Sequence, residues 1–290
     1  MRKLLTFILL LAATTGLSAQ NQPETYRLFD AKGKPIAYSR LVKELATQDV
    51  VFFGEMHNCP ITHWLEYKLL ESLCQAHDGK IDVGMEMLEA DNQLIIDEYM
   101  AGVISESQFE DECRLWPNYS TDYKPLVDFA HEHRLGLIAT NIPRRYASIV
   151  KNRGLVYLDS LSQEARAYMP PLPIPYENNP QANAAFGMMN SLGKGKKANS
   201  EYLGQSQGLK DATMGWNIAR RWRRPFIHFN GNYHSDSNDG IIKYLRKYRP
   251  HTKLKTVYSV KQEDISRLDS TYLGHGDYYI CIPEDMARSY

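Results

Sequence analysis

Six short apolar runs separated by segments of helical periodicity restrict what this chain can fold into more than any other feature of it. They are DVVFFGE (49–55), IDVGMEM (81–87), LGLIATN (135–141), PFIHFNG (225–231), LKTVYSV (254–260) and YYICIP (278–283). Each has the length and the β-branched or aromatic content of a strand, and most lack the polar alternation of a half-exposed one. Strands that are apolar on both sides belong to a largely parallel sheet covered on both faces. THWLEYKLLESLCQ, LVDFAHEHR and TMGWNIARRW lie between the first four runs and repeat their apolar residues at helical spacing. The expected architecture is therefore α/β, a three-layer sandwich whose central sheet lies between helices. Ahead of it, YRLFDAKGKPIAYSRLVKELATQ reads as two short strands turned at Lys32-Gly33-Lys34 and then a helix.

The first twenty residues pair Arg2 and Lys3 with an apolar stretch and a small-residue ending, Leu17-Ser18-Ala19. That is the layout of a secretory signal cleaved near Ala19, leaving 20–290 as a single domain exported to the periplasm or the cell surface. No Cys stands at the cleavage point for lipid attachment, and no later run reaches the ~20 apolar residues of a membrane span. Four cysteines at positions 59, 74, 113 and 281 fit no zinc spacing and read as buried thiols or one or two disulfides. Lys plus Arg equals Asp plus Glu, 34 each, which leaves no electrostatic footprint for a nucleic-acid partner. One stretch breaks the strand–helix rhythm. Residues 169–207 carry five prolines and no strand signal, too long for a plain connection, and read as a helical lid insertion over one face of the sheet.

Ligands of parallel sheets bind outside the carboxyl ends of the strands. Four runs end there in polar residues. The first delivers Glu55 and His57, with His63 on the helix opened by Pro60; the second delivers Glu86. The third runs into Asn141, with Arg144 at a helix start marked by Pro143; the fourth carries His228 and Asn230 and reaches His234. His228 reads as a hydrogen-bonded core histidine. Gly54-Glu55-Met56-His57 and Gly231-Asn232-Tyr233-His234 repeat one Gly-x-x-His pattern. Each glycine is expected to let the chain bend away from its strand, so that both imidazoles lean over one edge beside Glu55 and Glu86. Two carboxylates and two imidazoles serve either as acid–base machinery or as ligands to a divalent metal on His57, Glu86 and His234.

At these residues the chain resembles the ChaN-like haem-binding family, within the Tiki/TraB and erythromycin-esterase-like superfamily marked by paired Gly-x-x-His motifs. The stretches that carry the resemblance are VVFFGEMHNCPITHWLEYKLLESL, the MEM strand end, TNIPR, KDATMGWNI with Asp211 and Met214, and FIHFNGNYHSDSNDGIIKYL. The resemblance implies an exported protein of iron or haem uptake, partnered by outer-membrane haem-uptake machinery, with haem held by an axial tyrosine at a homodimer interface. The absent lipid-attachment Cys departs from the pattern. Tyr168, Tyr176 and Tyr202 flank the irregular insertion and are the candidate ligands, with Phe186, Met188 and Met189 placed to pack on the macrocycle. Haem iron accepts Tyr, His, Cys or Met, and no Cys-x-x-Cys-His motif provides for covalent attachment. Hydrolases in the same superfamily imply the alternative, a Glu/His-based or metal-dependent hydrolase. In it Glu55 or Glu86 is the base or a metal ligand, His57 and His234 carry protons or bind metal, and Arg144 stabilises an oxyanion.

Overall fold

A computed structural model of the protein describes residues 24–179 and 199–289. The proposed signal sequence, and Phe186, Met188 and Met189, lie outside them. Seven strands form one sheet in the order β1-β7-β6-β2-β5-β3-β4. They are β1 (Arg27–Asp30), β2 (Val50–Glu55), β3 (Asp82–Glu89), β4 (Gly136–Asn141), β5 (Phe226–Gly231), β6 (Leu254–Gln262) and β7 (Tyr278–Pro283). Only β1 runs antiparallel to its neighbour; every other pairing is parallel. All six apolar runs became strands, with boundaries within two residues. The hairpin expected around Gly33 is reduced to β1 and an isolated bridge between Phe29 and Pro35.

β2, β3 and β5 are buried along their whole length, which is why their sequences do not alternate. The two faces are nonetheless distinct. Val51, Phe53, Val83, Met85, Ile227 and Phe229 face one core, shared with helices α2 (Pro60–Ala76) and α5 (Lys124–Glu132). Val50, Phe52 and Phe226 face the other, shared with α8 (Ser200–Arg221) and α9 (Ile241–Tyr248). Adjacent residues thus point to opposite layers, as the pleat requires. Phe52 and Phe53, both fully buried, contribute about 1.5–3 kcal/mol each by leaving water.

Among the described residues the remaining α-helices are α1 (Tyr38–Leu45), α3 (Gln93–Met100), α4 (Glu106–Glu112), α6 (Arg144–Arg153) and the short α7 (Gln163–Arg166). Pro60 opens α2 and Pro143 caps α6, where a residue without an N–H leaves no helical bond unmade. Residues 200–207, read from sequence as the end of the insertion, are the first two turns of α8. Among the described residues, no helix is long and apolar enough to cross a membrane.

Candidate functional site

The carboxyl edge is assembled around β5. In the parallel register Glu55 of β2 stands opposite Gly231 of β5. On the other side, β3 pairs with β4 regularly up to Met85 and then shifts register before Glu89, so Glu86 sits in the irregularity. Such a shift re-aims a side chain out of the ladder. Asn141 holds it in place by donating from Nδ2 to the Glu86 carbonyl at 3.0 Å. The Glu86 carboxylate then accepts the Gly231 backbone N–H at 2.9 Å.

His234 is the second partner of Glu86. Its Nε2 lies 3.1 Å from Glu86 Oε1 and its Nδ1 lies 2.6 Å from Asp211 Oδ1, on α8. All three residues are buried. Burial alone opposes every charge here, yet the neighbouring charges decide most directions. Glu86 feels burial pushing its pKa up, and the charge and hydrogen bond of His234 hold it well below the carboxylate range. His234 is pushed down by burial and raised to about 9 by Glu86 and Asp211. Asp211 moves the other way from Glu86. Burial and the Glu86 charge raise it against the pull of His234, because one imidazolium cannot neutralise two carboxylates equally. With a carboxylate facing each ring nitrogen, His234 is a cationic clamp between α8 and the β3 edge.

The first Gly-x-x-His stretch builds a separate centre. Glu55 Oε1 accepts His57 Nδ1 at 2.6 Å and the Tyr123 hydroxyl at 2.9 Å. Burial pushes Glu55 up, and the hydrogen bond from His57 with the charges of His57 and His63 brings it below its ordinary value. Burial lowers His57, and its hydrogen bond to Glu55 with the Glu55 and Glu86 charges carries it above. The His57 side chain is 37% exposed and packs edge-on to Trp116. With Nδ1 given to Glu55, Nε2 faces Gly231, where an added methyl would stand 2.7 Å from it and 3.6 Å from Glu86 Oε2. His57 and Glu86 therefore meet over the same glycine, and His234 lies beyond Glu86, so one edge collects all four expected residues.

The reason for the glycines differs from expectation. Neither Gly54 nor Gly231 has left-handed backbone; what each supplies is space. A methyl on Gly54 would lie 2.6 Å from Asn232 Oδ1 and 3.0 Å from the Val257 carbonyl. Arg144 does not join the edge cluster. It sits 64% exposed at the start of α6, its Nε 3.6 Å from Glu89 Oε1. His228 is the core histidine expected. Its Nδ1 lies 2.9 Å from Asn230 Oδ1 and its Nε2 2.8 Å from Thr140 Oγ1, and burial drives its pKa down to about 4. All four cysteines are free and buried.

Beside the clamp, a cleft of about 340 Å³ opens between α8 and α9, with Asp211 at its inner end and Tyr176, Tyr233 and Tyr244 in its walls. Gly208 admits the Tyr176 ring, whose Cδ2 would lie 2.9 Å from a methyl at that position. Tyr244 donates to the Pro175 carbonyl at 2.7 Å and Lys243 pairs with Glu177 at 2.7 Å, fastening the 175–177 segment to α9. Of the other two candidate tyrosines, Tyr168 lies near the Arg145 guanidinium, and Tyr202 packs against Gly154.

Comparison with known proteins resolves the lineage. The family model for haem-binding uptake proteins of the Tiki superfamily, ChaN, matches residues 41–245, more than two thirds of the chain. The chain belongs to that family. Among solved structures, ChaN of Campylobacter jejuni, described with cofacial haem binding, superposes with a TM-score of 0.68 at 16% identity, covering 90% of this chain and 98% of that one. The erythromycin esterase EreC, a mutant in its open conformation, superposes at 0.51 with 11% identity, covering 92% and 99%. A search of the curated proteins found no match. At these identities the superpositions establish the α/β fold alone.

Several residues of this ChaN-family site escaped the sequence reading. Asp211 stood in a quoted helix without a role, although its burial on α8 makes it the second anchor of His234. Glu66 follows His63 by three positions, a helical spacing that places both on one side of α2, and both are buried. That apolar-flanked His-x-x-Glu pair was the available signal. Tyr123, Trp116 and Asp122 come from the connection between β3 and β4, where nothing in the local pattern marks them.

Proposed function

We propose that this ChaN-family protein is an exported haem carrier of an iron-uptake pathway, holding ferric haem through Tyr176 in the α8–α9 cleft of a homodimer. Family membership is the observation that carries the reading, and the α8–α9 cleft supports it. Gly204 and Gly208 line one side and Tyr233, Tyr244 and Tyr176 the others, so a flat macrocycle meets aromatic and backbone surface beside the acidic residues Glu177, Asp211, Asp236 and Asp239. A cleft of about 340 Å³ is small for a drug-sized ligand. One protomer would leave much of the porphyrin wet, and a second copy would cover it; haem bound cofacially in Campylobacter jejuni ChaN supports that arrangement. Burial of the apolar macrocycle would supply most of the affinity, and the ferric charge would offset the acidic surroundings of a tyrosinate ligand.

Haemin titration followed in the Soret region and by sedimentation tests this. The wild-type chain is expected to give a saturating Soret band with a shift toward dimer, and Tyr176→Phe to lose the band's tyrosinate character while Tyr168→Phe and Tyr202→Phe retain it. An unchanged spectrum at saturating haemin overturns the reading.

A hydrolytic reading rests on one observation, the half-exposed His57 with Nδ1 held by Glu55 and Nε2 directed at the edge, the geometry of a general base. Ester hydrolysis by haem-free protein that disappears in His57→Ala would favour it over haem carriage.

A further inference from the structure

Glu55, His63 and Glu66 meet in the layer between β2 and α2, and all three are buried. Each can offer one ligand atom such that all lie within 4.8 Å of one another. Two buried carboxylate oxygens at this point, Glu55 Oε2 and Glu66 Oε1, have no hydrogen-bond partner. Glu55 Oε2 stands 2.9 Å from His63 Nδ1 without meeting its N–H in line, because that nitrogen bonds Glu66 Oε2 at 3.1 Å. A buried carboxylate oxygen left unbonded is destabilising, and a bound ion is one of the partners that satisfy such an atom in native proteins.

The surroundings complete the case. Glu55 Oε1 is fixed from outside by His57 and Tyr123, which turns Oε2 inward. On the far side of the imidazole, His63 Nε2 lies 3.2 Å from the His57 carbonyl and 3.4 Å from Asp122 Oδ2. Asp122 is itself held by Asn118 Nδ2 at 2.7 Å and the Ser289 hydroxyl at 2.9 Å. A metal-bound histidine donates its other N–H to a carboxylate or backbone carbonyl in this way, and its carboxylate co-ligands are hydrogen-bonded in turn. A cleft of about 280 Å³ lined by Pro60, Trp64, Tyr67, Thr121 and Pro125 reaches His63 and Asp122 from the surface.

We infer that Glu55, His63 and Glu66 bind one divalent first-row transition-metal ion through an oxygen of each carboxylate and His63 Nδ1. The ion takes the place of the Nδ1 proton, which leaves to solvent, and two carboxylates with one imidazole suit Zn²⁺, Mn²⁺ or Fe²⁺. At 2.0–2.2 Å from each donor, such an ion holds its ligand atoms up to about 4 Å apart, within reach of the observed grouping. This site is separate from the haem cleft and from the His57, Glu86 and His234 set raised by the sequence.

The test is metal analysis of the full chain, stripped with chelator and dialysed against Zn²⁺, Mn²⁺ or Fe²⁺ in turn, with thermal unfolding in parallel. Expected are one ion per chain for at least one of the three, a Tm rise of about 5 °C at saturating metal, and loss of both in Glu66→Gln. Because Glu66→Gln removes a buried charge, its fold is checked by circular dichroism; should it fail to fold, anomalous diffraction from metal-soaked wild-type crystals decides by the position of the peak. Wild-type protein that takes up none of the three ions, uptake unchanged in folded Glu66→Gln, or a peak at His234 instead of His63 overturns the inference.

Discussion

Removing the His234 imidazole should be among the most damaging single changes to this protein, and its size follows from what is left behind. In His234→Ala, Glu86 keeps the Gly231 N–H at 2.9 Å but loses its ionic contact at 3.1 Å, while Asp211 loses the partner at 2.6 Å. Breaking a buried ion pair from one side costs about 3–5 kcal/mol, because the surviving charge stays desolvated. Glu86→Gln keeps one acceptor oxygen, for either Gly231 or His234, turns an amide NH2 toward the other donor and removes the charge paired with His234, so about 1–3 kcal/mol is expected. The pH dependence separates the clamp from simple packing. His234 titrates at about 9 in the folded chain against 6.5 ordinarily, a difference of about 3 kcal/mol. A raised folded pKa means this contribution is complete below pH 6.5 and is lost as pH rises through 9. Urea unfolding by far-ultraviolet circular dichroism at pH 6.5 and 9 should therefore show the difference between wild type and His234→Ala shrinking at the higher pH, with unchanged m-values. A loss below about 1 kcal/mol at pH 6.5, or a difference independent of pH, would refute the clamp.

Two other substitutions and a thiol assay probe different contacts. Gly231→Ala drives a methyl to 2.7 Å from His57 Nε2; a loss of about 1–3 kcal/mol is expected, with the His57 pKa, followed by NMR, falling back toward its ordinary value as the ring leaves Glu55. Thr140→Val strips the hydroxyl 2.8 Å from His228 Nε2 and 2.9 Å from the Met85 carbonyl, and chemical denaturation should register about 1–3 kcal/mol for the orphaned groups. The four buried cysteines should resist a thiol reagent in the native protein and all react after unfolding under non-reducing conditions, whereas fewer than four reactive thiols would reveal a disulfide.

The sheet was readable because its central strands are covered on both faces and therefore spell near-continuous apolar words. The polar residues that end those words, Glu55, Glu86 and His234, were readable for the same reason: a charge after VVFF or beyond FIHFNG stands out against its run. What joins them was not. Glu86 meets Gly231 across 145 positions, Asp211 meets His234 across 23 and Tyr123 reaches Glu55 across 68, and no local period encodes such distances. The register irregularity that turns Glu86 toward Gly231 is equally invisible, since GMEMLE reads as regular strand. α8 was recognised only in its last half because SEYLGQSQGLK, with two glycines and few apolar residues, scores poorly as a helix. Those glycines, 204 and 208, are the ones that line the cleft.

Iron-edge anomalous diffraction from crystals grown with haemin tests the central claim most directly. The account predicts a peak in the α8–α9 cleft within bonding distance of the Tyr176 hydroxyl, the porphyrin lying along Gly204 and Gly208 and covered by a second copy of the chain. Iron bound at another tyrosine, or haem seated away from this cleft, would contradict it.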